Sequence, residues 1–140
     1  MDADALFAGA ASPREHSASL VVLRLAEITL IDAVTSEQVI VETERNLAAK
    51  MPQALPAFRL IVSRCLRVVA DPQPADIRPH DGLAHPKDLP ILVAAVREGC
   101  PWLVTFIVRD FQPGHPAVTV LRPGEFVAHV RDLLAYLTVE

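Results

Sequence analysis

Asp2, Glu42, Asp88 and Asp110 come from four widely separated stretches of a 140-residue chain, and each falls where element ends are expected to meet. Carboxylates gathered from distant segments repel one another and rise in pKa unless a cation lies between them. Hard divalent ions take oxygen ligands, and Mg²⁺ in particular uses a few carboxylates while retaining water and binding substrate phosphate. The residue types therefore suit a Mg²⁺ or Mn²⁺ site acting on a phosphate ester. Asp4 stands beside Asp2, and only Asp88 and Asp110 have a cationic sequence neighbour, Lys87 and Arg109 respectively.

Each acid also has an ordinary structural use. Asp88 opens "DLPILVAAV" and could cap the helix that follows, although Pro90 removes one of the amides such a cap would bind. Glu42 flanks the apolar stripe Val39, Thr43, Leu47, where Glu44 is an equal candidate on periodicity alone. Asp110 beside Arg109 could form a loop ion pair of little worth.

The elements that must position these acids alternate between helical and extended patterns. The sequence predicts a helix from Ser12-Pro13 to about Glu27, a strand over 28–34, and a helix over 36–51 capped by Thr35 with Gln38 completing a capping box. A third helix over 53–65 and a strand over 66–70 follow. Residues 71–90 hold five of the twelve prolines and read as loop, with one short helix around 75–83. Beyond it come a helix from Pro90 stopped by Gly99, a buried strand over 101–108, a strand over 117–121, and a helix over 124–137 with Phe126, Val130, Leu133, Leu134 and Leu137 turned inward. Strands alternating with helices imply an α/β fold with a mostly parallel sheet between helical layers. In such sheets ligands bind beyond the carboxyl ends of the strands.

Composition narrows the function classes. The length is that of one domain. With 51% hydrophobic residues but no apolar run longer than Ile91–Val96, the chain offers no membrane span, and its start lacks the pattern of a secretory signal, so a cytoplasmic location is expected. The net charge of −4 argues against a duplex-coating surface. Cys65 and Cys100 form no metal or disulfide pattern, His16, His80, His85, His115 and His129 lack zinc spacing, and the glycines form no phosphate loop. Arg14, Lys50, Lys87 and Arg109 are candidates to guide a phosphate backbone, and His85 to touch substrate.

Taken together, "DADALFAGAAS" (2–12), "VIVETERNL" (39–47), "HPKDLPILVAA" (85–95) and "WLVTFIVRDF" (102–111) resemble, in order and along nearly the whole chain, the motifs of bacterial PIN-domain proteins. The resemblance implies a three-layer α/β/α sandwich around four to five short strands. It implies a metal-dependent ribonuclease leaving 5′-phosphate and 3′-hydroxyl ends, with Asp2, Glu42 and Asp88 on the metal-binding acids and Asp110 as a fourth. It also selects Glu42 over Glu44. Many such proteins are toxins of VapBC-type pairs, which implies a homodimer and a cognate antitoxin, bound across an apolar groove, as partners besides RNA.

Two positions depart from the pattern. Only Met1 precedes Asp2 where relatives carry a full strand, which would expose sheet-edge groups and loosen the backbone holding Asp2. Ile107 stands where relatives carry Asn or Asp, and an isoleucine cannot ligate a cation, so the fourth corner of the site rests on Asp110, with Asp4 adding a further charge. These departures admit a domain that survives as a protein- or RNA-binding module. "DADAL" also looks like the start of haloacid-dehalogenase-type phosphatases, which would make Asp2 a nucleophile, Asp4 an acid/base and Lys87 a phosphate partner.

Overall fold

The computed structural model describes residues 1–11 and 17–137. The chain opens on an unforeseen helix, α1 (Ala3–Ala11), built from alanine and leucine with Asp4 in its first turn, where the helix dipole favours an acid. Asp2 stands just before it, its carbonyl accepting the Leu6 amide. The predicted helix start at Ser12-Pro13 lies outside the described residues. Helix α2 (Ala18–Glu27) is capped by Ser17, whose hydroxyl accepts from the Leu20 amide. Gly9 sits where a Cβ would lie 2.6 Å from Leu23 Cδ1, so a glycine there permits close packing of α1 on α2.

Strand β1 spans Ala33–Ser36, several residues later than its β-branched signal. Residues 28–32 make the turn out of α2 instead, with Thr29 at φ 63° and Ile28 66% exposed. That shift places Thr35 inside the strand, so its hydroxyl donates to the Met1 carbonyl rather than capping a helix, and the expected capping box does not form. Helix α3 (Glu37–Lys50) is capped from afar: the Gln38 amide donates to Asp71 Oδ1 at 2.9 Å. Helix α4 (Leu55–Cys65), strand β2 (Leu66–Val69) and the short helix α5 (Pro74–Ile77) fall close to expectation. So does α6 (Leu89–Arg97), followed by Gly99 in the left-handed conformation at φ 69°.

Strand β3 covers only Trp102–Val104. Thr105 then turns away into a 3₁₀ turn at Val108–Phe111, which leaves Phe106 and Ile107 exposed rather than buried in a sheet. Strand β4 (Thr119–Leu121) and helix α7 (Pro123–Tyr136) complete the chain. Phe126 and Val130 of α7 are buried, whereas Leu133, Leu134 and Leu137, expected to face inward, are exposed.

The strands pair in parallel as β1 with β2, Ala33 opposite Leu66, and β3 with β4, Trp102 opposite Thr119. The fold is thus α/β with short parallel strands in two two-stranded sheets, where the sequence suggests one sheet of four or five strands. Residues 1 and 2 lie between the pairs. The Met1 amine donates to the Val34 carbonyl at 3.0 Å on one side, and the Asp2 amide donates to the Val104 carbonyl at 2.9 Å on the other. Before Met1 the gap between β1 and β3 continues as a cleft of about 340 Å³ lined by Val34, Trp102, Val104 and Phe126. Burial also holds the Met1 amine below its usual pKa.

The main core packs Leu6 of α1, Leu23 of α2, Val39 and Leu47 of α3, Phe58 of α4 and Leu92 of α6 together. A smaller cluster joins Ala5, Val22, Val104, Phe126 and Val130. Among the described residues no helix is long and apolar enough to cross a membrane.

Candidate metal centre

The four sequence-selected acids come to one place. Asp2, Glu42, Asp88 and Asp110 line a single cleft of about 330 Å³, joined by Asp4, Phe7, Asn46, Lys50, His85, Lys87 and Ile107. Asp2 arrives at the junction of the two-residue bridge and α1. Glu42 arrives on the stripe of α3 beside its buried residues, Asp88 at the start of α6, and Asp110 on the 3₁₀ turn after β3. The turn and the loop before α6 are tied by the His85 amide donating to the Asp110 carbonyl at 2.7 Å.

Asp2 is the most enclosed of them, 9% exposed. Its Oδ1 accepts from the Ala3 amide at 2.7 Å and its Oδ2 from the Thr105 hydroxyl at 3.1 Å. That hydroxyl also lies 3.4 Å from Asp4 Oδ1, while Asp4 Oδ2 accepts from the Phe106 amide at 3.2 Å. Thr105 has one proton to give and two carboxylates facing it. Fully buried, it holds both acids to the end of β3.

Asp88 occupies the position before α6 but makes no side-chain cap bond, so the capping role does not account for it. Among the described residues no donor reaches the carboxylate oxygens of Asp88 or Asp110. Glu42 is met by Lys87 Nζ at 3.5 Å, a contact open to solvent on the lysine side. The Lys87 amide in turn donates to His85 Nδ1 at 3.2 Å.

The electrostatics follow from crowding. Burial, then the Asp2 charge, pushes Asp4 up to about 6. Burial, followed by the charges of Asp2 and Asp110, pushes Asp88 up to about 6. Burial also raises Asp2, a rise opposed by its two hydrogen bonds. Such an array is strained by its own charge and is relieved by a proton or a cation.

A divalent ion fits this donor set in kind. Five carboxylates, those of Asp2, Asp4, Glu42, Asp88 and Asp110, face the cleft, and among the described residues no donor reaches that of Asp88. Among the described residues, no three His, Cys, Asp or Glu side chains stand as a pre-assembled metal cage. Mg²⁺ uses a few carboxylates and keeps much of its water, so it does not require such a cage. Ile107 lines the cleft and supplies no ligand, as its side chain requires.

Thr105 is the member that sequence reasoning passed over. Its signal was a lone hydroxyl within the apolar run "WLVTFIV", where a buried polar group needs partners. Phe7 and Asn46 were likewise passed over, because a ring in an alanine-rich helix and an amide one turn beyond Glu42 read as ordinary helix positions. A scan against protein-family models, a search of curated proteins and a search of solved structures each return no match.

Proposed function

We propose that this chain is a divalent-metal-dependent ribonuclease of PIN type that hydrolyses RNA phosphodiester bonds in the cleft lined by Asp2, Glu42, Asp88 and Asp110. The observation that carries the reading is that four carboxylates from remote parts of the sequence line one open cleft, with no donor among the described residues reaching that of Asp88. The motif resemblance supports it independently, including the three-layer arrangement in which the two strand pairs and the Met1–Asp2 bridge form one central layer. A toxin role, with a homodimer and an antitoxin as partners, belongs to the same reading.

Asp2, Glu42, Asp88 and Asp110 would hold Mg²⁺ or Mn²⁺. When bound, the ion supplies an acidified water and neutralises charge on the phosphoryl oxygens. Thr105 and the Ala3 amide fix Asp2 so that its carboxylate does not swing with the chain terminus. Lys87, which lines the cleft with its ammonium 3.5 Å from Glu42, would meet the substrate phosphate. Water would add to phosphorus and lose a proton while the P–O3′ bond breaks, so that the O3′ takes up a proton and leaves as a 3′-hydroxyl and the phosphate stays on the 5′ oxygen.

The direct experiment incubates single-stranded and structured RNA with the protein and Mn²⁺, with and without EDTA. The reading predicts cleavage that EDTA abolishes. Cleavage that survives EDTA, or none under any condition, contradicts it.

The raised carboxylates give the site a pH signature. Asp4 and Asp88 hold protons up to about pH 6 in the folded chain, against an ordinary value of 3.8. The folded state therefore binds more protons than the unfolded one between these values, so metal-free stability is greatest below the unfolded pKa and falls as pH rises through 6. Scanning calorimetry of the EDTA-treated protein should show a higher Tm at pH 5 than at pH 7, provided that other titrating groups are matched by an Asp4→Asn, Asp88→Asn control. Mn²⁺ should have the opposite preference, binding more weakly by about tenfold per pH unit for each proton it displaces below 6.

A further inference from the structure

Along α3 the cleft side carries Glu42, Asn46 and Lys50 at successive turns. Eight residues of helix separate Glu42 from Lys50, about 12 Å of rise, so Lys50 stands well away from the acid cluster. Among the described residues Lys50 pairs with no carboxylate; its ammonium lies 5.7 Å from the centre of the Phe7 ring. Phe7 lies one turn beyond Asp4 on α1 and also lines the cleft, half-buried. The Asn46 side-chain amide, midway along the stripe, makes no hydrogen bond within the described residues. An unpaired cation, an aromatic face and a free amide thus line the far end of a cleft whose near end holds the acids.

These three groups match the parts of a nucleotide. Aromatic faces take unstacked bases regardless of sequence, and a lysine beside them takes a phosphate. We propose that Phe7 and Lys50 form a subsite for a nucleotide outside the scissile bond, with one base of a single-stranded segment on the Phe7 ring and its phosphate on Lys50 Nζ. The ammonium now over the ring holds the position that the base takes, and shifts to the phosphate as the base enters. A paired base cannot reach the ring without leaving its helix, so the subsite selects single-stranded RNA over duplex. The inference rests on the ribonuclease reading for its substrate, and on the cleft geometry alone for its residues.

The test is fluorescence anisotropy of a labelled single-stranded RNA hexamer in Ca²⁺, across a range of salt. Lys50→Ala is expected to weaken binding about tenfold and to reduce the slope of log affinity against log salt by about 0.7, the loss of one phosphate contact to a single strand. Phe7→Leu, which keeps an apolar side chain in the helix packing, should weaken binding at least about fivefold with the slope unchanged. Lys50→Arg should restore the slope, and a duplex of the same sequence should bind at least about tenfold more weakly than the hexamer. Unchanged affinity and slope in Lys50→Ala, with the wild type still cleaving RNA, would overturn the subsite alone. Hexamer binding that depends on Lys50, in a wild type without Mn²⁺-dependent cleavage, would uphold the subsite and overturn the ribonuclease reading.

Discussion

Asp88→Asn is expected to lower the rate of Mn²⁺-dependent RNA cleavage by about 10³-fold, the loss on the order of 4 kcal/mol typical of removing a charge that stabilises the transition state directly. The substitution is nearly isosteric, and among the described residues the wild-type carboxylate neither caps α6 nor accepts a hydrogen bond that would be lost with its charge. Removing that charge relieves repulsion from Asp2 and Asp110, and the metal-free variant should be at least as stable as the wild type at pH 7. Activity and stability thus move in opposite directions. A purely structural aspartate would lose both together, so measuring cleavage and thermal unfolding on the same preparation separates the two roles.

The second large effect lies in the core. Phe58 of α4 is fully buried in the main cluster and is absent from the lining of the acid cleft. Phe58→Ala removes most of an aromatic side chain and leaves a cavity, which costs about 3–5 kcal/mol. For a chain of this size that corresponds to a Tm lower by roughly 10 °C or more. At a temperature where the variant remains folded, its cleavage rate should stay within about twofold of the wild type, the expectation for a change in α4 that removes no group from the cleft. Chemical denaturation and cleavage assays on this variant therefore complement those on Asp88→Asn.

That Asp2, Glu42, Asp88 and Asp110 would share one cleft was an expectation of the motif resemblance, since spacing alone left Glu42 and Glu44 equal. The proline after Asp88 already weakened the capping explanation, and in the structure that carboxylate makes no cap bond. Glu42 could be placed beside the buried stripe Val39, Thr43, Leu47 by helical spacing, which the burial of those three residues matches. What failed depended on how segments meet. The β-branched run after α2 suggested a strand, but the turn with Thr29 at positive φ consumes those residues and moves the strand onto Thr35 and Ser36. The same shift replaced a local capping box by Asp71, a residue remote in sequence. Helix α1 carried little signal, because its alanine-rich run is too short and too uniformly apolar to show a helical stripe. Leu133, Leu134 and Leu137 satisfy helical periodicity, yet periodicity cannot say where the layer beneath a helix stops.

Thr105 illustrates a different limit. A hydroxyl that bridges two carboxylates is defined by partners about a hundred positions away, and its role appears only when β3 and the start of α1 are side by side. Asp2 is consequently supported by a buried residue of another element, Thr105, together with the adjoining Ala3 amide.

The most direct measurement is isothermal titration of Mn²⁺ into the metal-free protein at pH 7, repeated on Asp88→Asn and Asp2→Asn. Saturable binding in the wild type, weakened at least about tenfold in each variant, is the predicted result, since each removes a charged ligand from the same ion. Absence of binding in the wild type, or binding that both variants leave unchanged, would contradict a metal centre built from these carboxylates.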